Sequence, residues 1–366
     1  MSWPLNKLKD ITQLIDYGLT ASANNEVQGP LFLRITDLTD SGVNWSKVPR
    51  CECDDKHKLR NLLVKGDIVF ARTGATTGKS YLISDLDEDT VFASYLIRVR
   101  PNKDIFSPYL AHFFKSPIYW HQIGSMSSGA TLPGVNASKL GQLEIPLPPL
   151  DEQKRIAAIL DKADAIRRKR QQAIQLADDF LRSVFLDMFG DPVTNPKGWE
   201  VKRWSDVLKI VNGKNQKAVL ADGGKYPIMG SGGEMGRASE YLTPENSVII
   251  GRKGNINKPI LVKENFWNVD TAFGLVPKPS ILSFNYLYWF CKFFDFERLN
   301  KAVTIPSLTK VDLLQISIPL PDITKQTRFD EVVNKIESII SKNINSSQST
   351  NDIFNSLSQK AFAGEL

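Results

Sequence analysis

Hydrophobic residues along this chain form two kinds of pattern, and each kind occurs twice. Short runs rich in branched and aromatic residues, at 67–70, 91–99 and 247–250, are bounded by Gly, Pro or Asn and are typical of β-strands. Aromatic segments at 107–117 and 283–294 predict one short helix in each half. Each mixed region is followed by a long segment with an apolar stripe, which predicts a long helix.

The stripe of each long segment has the 4-3 spacing of a coiled coil. The first stripe comprises Ile159, Ala163, Ile166, Ala173, Ala177, Phe180 and Val184. The second lies 173 positions further along, at Val332, Ile336, Ile339, Ser346, Thr350, Ile353 and Leu357. A helix of about 38 residues spans about 57 Å, more than the width of one domain. We therefore expect the two helices to pair as an antiparallel coiled coil, with packing against the neighbouring domain as the alternative.

An internal repeat explains why the patterns occur twice. The segment "TLPGVNASKLGQLEIPLPPLDEQKRI" (131–156) aligns without a gap with "TIPSLTKVDLLQISIPLPDITKQTRF" (304–329). Upstream, "GDIVFARTG" (66–74) parallels "NSVIIGRKG" (246–254). The offset between the copies falls from 196 near the start to 180 and then 173, so the second copy has shorter loops. Shared framework motifs with different loops are typical of two recognition modules with different targets.

The repeat predicts an α+β protein with approximate two-fold symmetry. Two mixed α/β domains, at 1–150 and 191–323, are each followed by a long helix, at 151–190 and 324–366. A helical spacer that holds two similar modules apart suits DNA, where half-sites lie a set number of base pairs from each other.

Composition adds limited information. The 366 residues are 42% hydrophobic and 23% charged, which is ordinary for globular domains, and the net charge of +6 favours an acidic partner such as nucleic acid. Three cysteines favour a reducing compartment. Cys51, Cys53 and His57 could ligate zinc, but no second pair exists, and a polar loop with two incidental thiols is the alternative. With neither an apolar signal segment nor a membrane-length apolar run, a soluble, cytoplasmic protein is expected.

The segment "RTGATTGKS" (72–80) resembles a nucleotide phosphate-binding loop but has the wrong spacing. That loop requires four residues between its glycine and the Gly-Lys pair, whereas Gly74 and Gly78 are separated by three. The following "SYLISDL" predicts a strand instead of the helix that such a loop needs. ATP hydrolysis is therefore retained only as an alternative function.

Four features of the sequence together resemble the specificity (S) subunits of type I restriction–modification systems, the HsdS family. They are the repeat, the run "GDIVFARTGATTGKS", the helix "IPLPPLDEQKRIAAILDKADAIRRKRQQAIQLADDFLRSVFLDMFGDP" and the closing "KAFAGEL". The resemblance covers essentially the whole chain. It implies that the mixed domains are target recognition domains, each reading one half of a split, asymmetric double-stranded DNA sequence. A recognition arm of a single-protein restriction–modification enzyme is the other possibility.

The resemblance also implies partners and cofactors. Two methyltransferase subunits would dock on the long helices, and restriction subunits would join them. S-adenosylmethionine, ATP and Mg²⁺ are then expected on those partners, with no cofactor or metal on this chain and no membrane partner. The chain itself would have no catalytic residue. It contains no Asn/Asp-Pro-Pro-aromatic motif of an amino-methyltransferase, and "DEQK" (151–154) matches a nuclease motif only by chance at a helix start.

Basic and small polar residues near the two "RTG/RKG" loops are the candidates for DNA contact, because Arg can bind guanine bidentately and Lys can hold phosphates. They are Arg72, Thr73, Lys79, Ser80, Ser128, Thr131, Ser231, Arg237, Arg252, Lys253 and Lys258. The alternative for Arg72 and Arg252 is a salt bridge within the fold. By resemblance, subunit docking is expected at Gln153, Arg155, Ile156, Phe185, Phe189, Gln326 and Phe362.

Overall fold

The computed structural model describes residues 3–39, 42–84, 86–127, 134–302, 304–344 and 347–366. Contacts divide the chain into two compact units, Met1–Arg170 with Asn345–Leu366, and Gln171–Ile344. Each unit therefore combines one mixed region with parts of both long segments. The predicted boundaries at 150, 190 and 323 stay predictions.

The described residues form strands and helices in alternation. The strands are β1 Leu5–Lys7, β2 Thr12–Tyr17, β3 Ala23–Asn24, β4 Leu31–Leu33, β5 Arg50–Cys51, β6 Ile68–Ala71, β7 Ser80–Leu82, β8 Thr90–Phe92, β9 Leu96–Pro101, β10 Glu144–Pro146, β11 Val201–Arg203, β12 Leu208–Asn212, β13 Tyr226–Gly230, β14 Gly233–Ala238, β15 Ser247–Gly251, β16 Ile260–Val262, β17 Trp267–Asn268, β18 Ala272–Pro277 and β19 Ser317–Pro319. The helices are α1 Asp55–Asn61, α2 Ser107–Phe113, α3 Pro117–Ser127, α4 Ala137–Gly141, α5 Leu150–Phe189, α6 Trp204–Val207, α7 Phe284–Phe293, α8 Lys310–Leu314, α9 Ile323–Ile344 and α10 Ser347–Ala363.

The two units share one sheet plan, which confirms the α+β prediction. The first has an antiparallel sheet in the order β2-β9-β6-β7, and the second has the matching order β12-β18-β15-β16. A second sheet, with four strands in the first unit and three in the second, contains one parallel pair in each unit, β4 with β8 and β13 with β17. A two-stranded ribbon, β1-β10 or β11-β19, lies just before the long helix that comes after each mixed region.

The run 91–99, predicted as a single strand, is two strands. β8 and β9 belong to different sheets and are separated by a turn at Ala93–Tyr95. Both strands are buried on both faces, so the apolar pattern carries no sign of the break. The aromatic segments are helices as predicted, α2 and α7.

The long helices bury a face next to the predicted stripe. α5 has 40 residues, and it buries Ile156 and Leu160 in the first unit and Leu181 and Phe185 in the second. Five residues of the predicted stripes, Ala163, Val184, Val332, Ile336 and Leu357, are half-buried against the cores. Others are about half exposed, namely Ile166 and Phe180 (50% each), Ile339 (54%) and Ile353 (48%), and Ser346 and the side chain of Thr350 lie outside the described residues. The buried face packs against the mixed region of its unit and also against the other long segment. The ring centre of Phe185 lies 5.5 Å from that of Phe329, and the guanidinium of Arg167 lies 5.0 Å from the ring centre of Phe354. Antiparallel pairing stays a prediction.

Candidate nucleic-acid interface

In the second unit, strand order brings three loops to one end of the main sheet. Asn212 at the end of β12 pairs with Phe273 near the start of β18, and Gly251 at the end of β15 pairs with Ala272. The segments that emerge side by side are 213–217, 252–259 and 269–271. Neighbouring strands lie about 4.8 Å apart, so β12 and β15, with β18 between them, are separated by about 10 Å.

The first unit has the same arrangement. Tyr17 at the end of β2 pairs with Ile97, and Ala71 at the end of β6 pairs with Leu96. The segments at this end of the sheet are the one after Tyr17, the loop 72–79 and the turn 93–95. The repeat therefore places Arg72 and Arg252 at equivalent sheet ends.

A glycine in each unit allows the chain to cross closely over the neighbouring turn. A Cβ at Gly18 would lie 2.1 Å from the carbonyl oxygen of Phe92, and a Cβ at Gly213 would lie 1.8 Å from that of Val269. Both positions therefore require glycine. Sequence reasoning missed this pair, although the two glycines lie 195 positions apart, close to the offset of 196 at the start of the copies.

The backbones of the two arginines make the same contact. Arg72 donates its backbone N–H to the carbonyl of Tyr95 at 3.2 Å, and Arg252 donates to the carbonyl of Thr271 at 2.8 Å. Each bond extends the ladder of the main sheet by one residue and holds the loop at the turn before β9 or β18.

The arginine side chains differ. The half-buried Arg72 donates from Nη1 to the carbonyl of Ser94 at 3.2 Å, and its guanidinium lies 4.8 Å from the ring centre of Tyr17. Arg252 is exposed, with its guanidinium 5.8 Å from the ring centre of Phe273. Among the described residues neither forms the salt bridge that was the alternative interpretation. Arg72 thus has a framework role, while Arg252 has a guanidinium available to a ligand.

The segment 72–80 is a hairpin between the antiparallel strands β6 and β7. Gly78 donates its N–H to the carbonyl of Ala71 at 2.8 Å, and Thr77 Oγ1 donates to the carbonyl of Gly74 at 2.7 Å. The predicted contact residues Thr73, Lys79 and Ser80 are half-buried. A phosphate-binding loop leads from a strand into a helix, so this strand–loop–strand geometry does not form one.

Loop 252–259 of the second unit carries two exposed lysines. Lys253 and Lys258 are exposed, and neither makes a side-chain hydrogen bond or an ion pair within the described ranges. Ser231 lies in the neighbouring turn between β13 and β14, where its Cβ is 3.1 Å from the position a Cβ on Gly251 would take. Four predicted contact residues, Ser231, Arg252, Lys253 and Lys258, therefore lie at one sheet end.

The remaining predicted contact residues are placed differently. Arg237 on β14 lies 3.0 Å from a carboxylate oxygen of Glu234 and 3.8 Å from one of Glu264, so its charge is balanced within the second unit. Ser128 and Thr131 lie outside the described residues. DNA contact by these three stays a prediction.

Six of the seven residues predicted to dock another subunit are interior. Only Arg155 is exposed; the buried ones are Gln153, Ile156, Phe185, Phe189, Gln326 and Phe362. They join each long helix to its mixed region, so their repetition has a structural cause, and buried side chains offer no surface to a partner in this conformation. Docking on the helices stays a prediction that must rely on other side chains.

The two phenylalanines show how the repeat works in the core. The ring centre of Phe189 lies 5.0 Å from that of Tyr286, and the ring centre of Phe362 lies 5.4 Å from that of Tyr109. The hydroxyl of Tyr109 donates to the carbonyl of Pro146 at 2.5 Å, and that of Tyr286 to Pro319 at 2.8 Å. Burial raises the pKa of both tyrosines, so they remain hydrogen-bond donors.

The possible zinc ligands differ in their exposure to solvent. Cys51 is buried, which together with the neighbouring Cys53 raises the pKa of its thiol to about 12, while His57 is exposed and bonded to Asp54 at 2.8 Å. No group of three or more His, Cys, Asp or Glu side chains in the described ranges is arranged to hold a metal ion. Within the same ranges no helix is both long and apolar enough to cross a membrane.

Comparison with known proteins gives a consistent result. A family model described as the type I restriction modification DNA specificity domain matches residues 3–176 and again residues 196–350, most of the chain. A putative type I restriction enzyme MjaX specificity subunit of Methanocaldococcus jannaschii is 25% identical, over 92% of this chain and 87% of that protein. The MjaIX specificity subunit of the same organism is 31% identical, over 62% of this chain and 57% of its own length.

A solved structure shares the fold. The type I restriction–modification S subunit from M. genitalium superposes with a TM-score of 0.65 at 16% identity, over 99% of this chain and 96% of that one. The duplicated sheet plan is therefore an arrangement already known in a solved protein.

Proposed function

Because this chain belongs to the family of type I restriction modification DNA specificity domains, we propose that it is the DNA-reading subunit of such a system. Each unit reads one half of a split, asymmetric double-stranded DNA sequence. The chain supplies recognition and scaffolding, and it carries out no catalytic step of its own.

The observation that carries this proposal is the duplicated sheet end. Both units use the same strand order and the same close approach at a glycine to present loops of different sequence. A shared framework with different loops suits two half-sites of different sequence. In the second unit, Arg252, Lys253 and Lys258 supply exposed positive charge for the phosphate backbone.

The proposal includes the partners expected for this family. Two methyltransferase subunits bind the long helices and supply S-adenosylmethionine chemistry, and restriction subunits supply ATP- and Mg²⁺-dependent steps. The assembly acts on DNA in the cytoplasm. Exposed positive charge at the sheet end of the second unit supports DNA as the ligand, and the exposed faces of α5 offer surface for partner subunits.

Methylation mapping of the host genome, with the gene present and with it deleted, tests the function. We expect a split adenine-methylation motif that disappears on deletion and returns when the gene is restored. An unchanged methylome, in a strain whose neighbouring methyltransferase and restriction genes are intact, would refute the proposal.

A further inference from the structure

The segment of residues 214–217, which follows Gly213, is held rigidly at its start. Trp267 donates from Nε1 to the carbonyl of Lys214 at 3.0 Å, and the backbone N–H of Lys214 donates to the carbonyl of Asn268 at 3.0 Å. Asn268 is fully buried, and its side-chain amide donates to the carbonyl of Val211 at 3.2 Å. This segment therefore has a defined conformation although it lies at the surface.

The other end of the segment is fixed as well. Val219 donates its backbone N–H to the carbonyl of Gln216 at 3.0 Å, and Asn215 Oδ1 accepts the backbone N–H of Lys217 at 2.9 Å. The turn thus uses only the oxygen of the Asn215 amide, and the NH₂ group has no partner among the described residues.

The side chains of this segment carry ammonium or amide groups, and apart from Oδ1 of Asn215 none of their polar atoms has a partner among the described residues. Lys214, Asn215 and Lys217 are exposed, and Gln216 is half-buried. The two lysines and Gln216 make no side-chain hydrogen bond or ion pair within the described residues. A fixed loop with free ammonium and amide groups is arranged for a ligand with anionic groups and hydrogen-bonding edges.

The first unit has no equivalent of these groups. After Gly18 the sequence continues Leu-Thr-Ala-Ser, and Leu19 turns inward to pack with Phe32 and Cys51. The two units therefore share the glycine that directs the chain and differ in the residues after it. In a protein that reads two different half-sites, such a difference is where specificity is expected.

We propose that residues 214–217 are a DNA-contacting segment of the second unit, in which Lys214 and Lys217 bind backbone phosphates and Asn215 and Gln216 read base edges. The inference rests on the proposed function. The segment leaves β12 about 10 Å from the loop that carries Arg252, two strand spacings away. The major groove of B-DNA is about 12 Å wide, so the two loops can contact opposite sides of one groove, and side-chain amides pair with adenine N6 and N7 there.

The salt dependence of DNA binding by the full chain tests the lysines. The probe is a 30-base-pair duplex of random sequence, and the variants are Lys214→Ala and Lys217→Ala. Each is expected to reduce the slope of log affinity against log salt by about 0.9, because one phosphate contact is lost. Lys209→Ala is the matched control, since Lys209 is exposed near the opposite end of β12 and should leave the slope unchanged. Unchanged slopes in both test variants would overturn the phosphate contacts.

Methylation mapping in cells tests the amides. Gln216→Ala and Asn215→Ser, the latter keeping an acceptor for the N–H of Lys217, are expected to relax the motif at one or more positions of one half-site and to leave the other half unchanged. If the wild-type chain gives no split motif, the proposed function fails. If the wild type gives a motif and both variants give the same motif to the same extent, only this inference fails.

Discussion

Gln153 Oε1 accepts a hydrogen bond from the backbone N–H of Phe106 at 2.9 Å, which joins the start of the long helix α5 to the start of the aromatic helix α2. Gln326 accepts in the same way from Ser283 at 2.9 Å, at the junction of α9 and α7. The glutamine that recurs in the two copies is therefore a buried structural connector between the mixed region and the long helix that follows it.

Replacing Gln153 with Ala is expected to destabilise the first unit by about 2–4 kcal/mol. The substitution leaves the N–H of Phe106 and the carbonyl of Pro148, which Gln153 Nε2 contacts at 2.9 Å, without partners, and an unpaired buried group costs about 1–3 kcal/mol. Urea unfolding followed by tryptophan fluorescence measures the loss. Arg155→Ala is the control, because it removes an exposed ion pair with Glu152 and an exposed hydrogen bond to the carbonyl of Leu366, and a much smaller loss of stability is expected. Equal effects of the two variants would contradict the connector role.

A buried ion pair is expected to dominate the stability of the first main sheet. Arg98 is 2% exposed, contacts Asp16 at 2.6 Å and 3.0 Å, and donates to the carbonyls of Arg60 and Leu62. Arg98→Leu should cost about 3–5 kcal/mol in thermal or urea unfolding, because the carboxylate of Asp16 and the carbonyl of Arg60 lose their partner, while the carbonyl of Leu62 keeps Arg100 at 3.2 Å. Arg98→Leu combined with Asp16→Leu should recover part of this loss. A double variant no more stable than the single one would show that Asp16 is not the source of the cost.

His112 is expected to make the first unit less stable in mild acid. Burial lowers the pKa of His112, while the bond from Nε2 to Asp161 at 2.8 Å and the nearby Asp164 raise it and Lys115 lowers it. The folded state then binds the proton less readily than the unfolded state, so stability is full above the ordinary pKa of about 6.5 and is lost as pH falls through the folded pKa. His112→Gln should reduce the change in melting temperature between about pH 7.5 and pH 5.5. His121→Gln, at an exposed position on α3, should keep the wild-type profile.

The hairpin geometry of residues 72–80 leads to a negative prediction for ATP. Purified full chain should release no phosphate from ATP above background, and Lys79→Ala should be indistinguishable from the wild type in a colorimetric phosphate assay. The physical reason is that no helix N-terminus comes after the loop to bind phosphates. Turnover by the wild type that is lost in Lys79→Ala would restore the nucleotide interpretation.

Features of the fold that depend on local pattern were predictable from the sequence. The repeat, both aromatic helices and the strand after "RTGATTGKS" are predicted by spacing and composition alone. The buried stripe of the long helices was displaced by one position, because Ile159 and Leu160, or Val184 and Phe185, are adjacent apolar residues, and a 4-3 spacing fits either stripe. Contact with a domain that lies elsewhere in the sequence selects the second of each pair.

The candidate site was predictable only in part, since its framework depends on strand order. The need for glycine at Gly18 and Gly213 arises where one strand end crosses a turn that is distant in sequence, which no local pattern reveals. The segment 214–217 is a candidate for DNA contact because it follows that crossing. Arg72 and Arg252 could be found by repetition, but the difference between their side-chain environments could not.

That difference gives a prediction that separates framework from DNA contact. Arg72→Ala loses the bond to the carbonyl of Ser94 and the stacking on Tyr17, so it should destabilise the first unit by about 1–2 kcal/mol. Arg252→Ala removes an exposed side chain and should change the free energy of unfolding of the second unit by less than about 0.5 kcal/mol.

DNA binding should rank the two arginines in the opposite order. The probe is a DNA duplex that contains the motif found by methylation mapping. Arg252→Ala is expected to weaken binding of this duplex by about tenfold, as for the loss of one contact of about 1.4 kcal/mol, while Lys209→Ala leaves binding unchanged. Arg72→Ala, measured at a temperature where it remains folded, should weaken binding less, because its guanidinium already has a partner within the first unit. Equal losses in the two variants would mean that Arg72 leaves Ser94 on binding and contacts DNA as its repeat partner does.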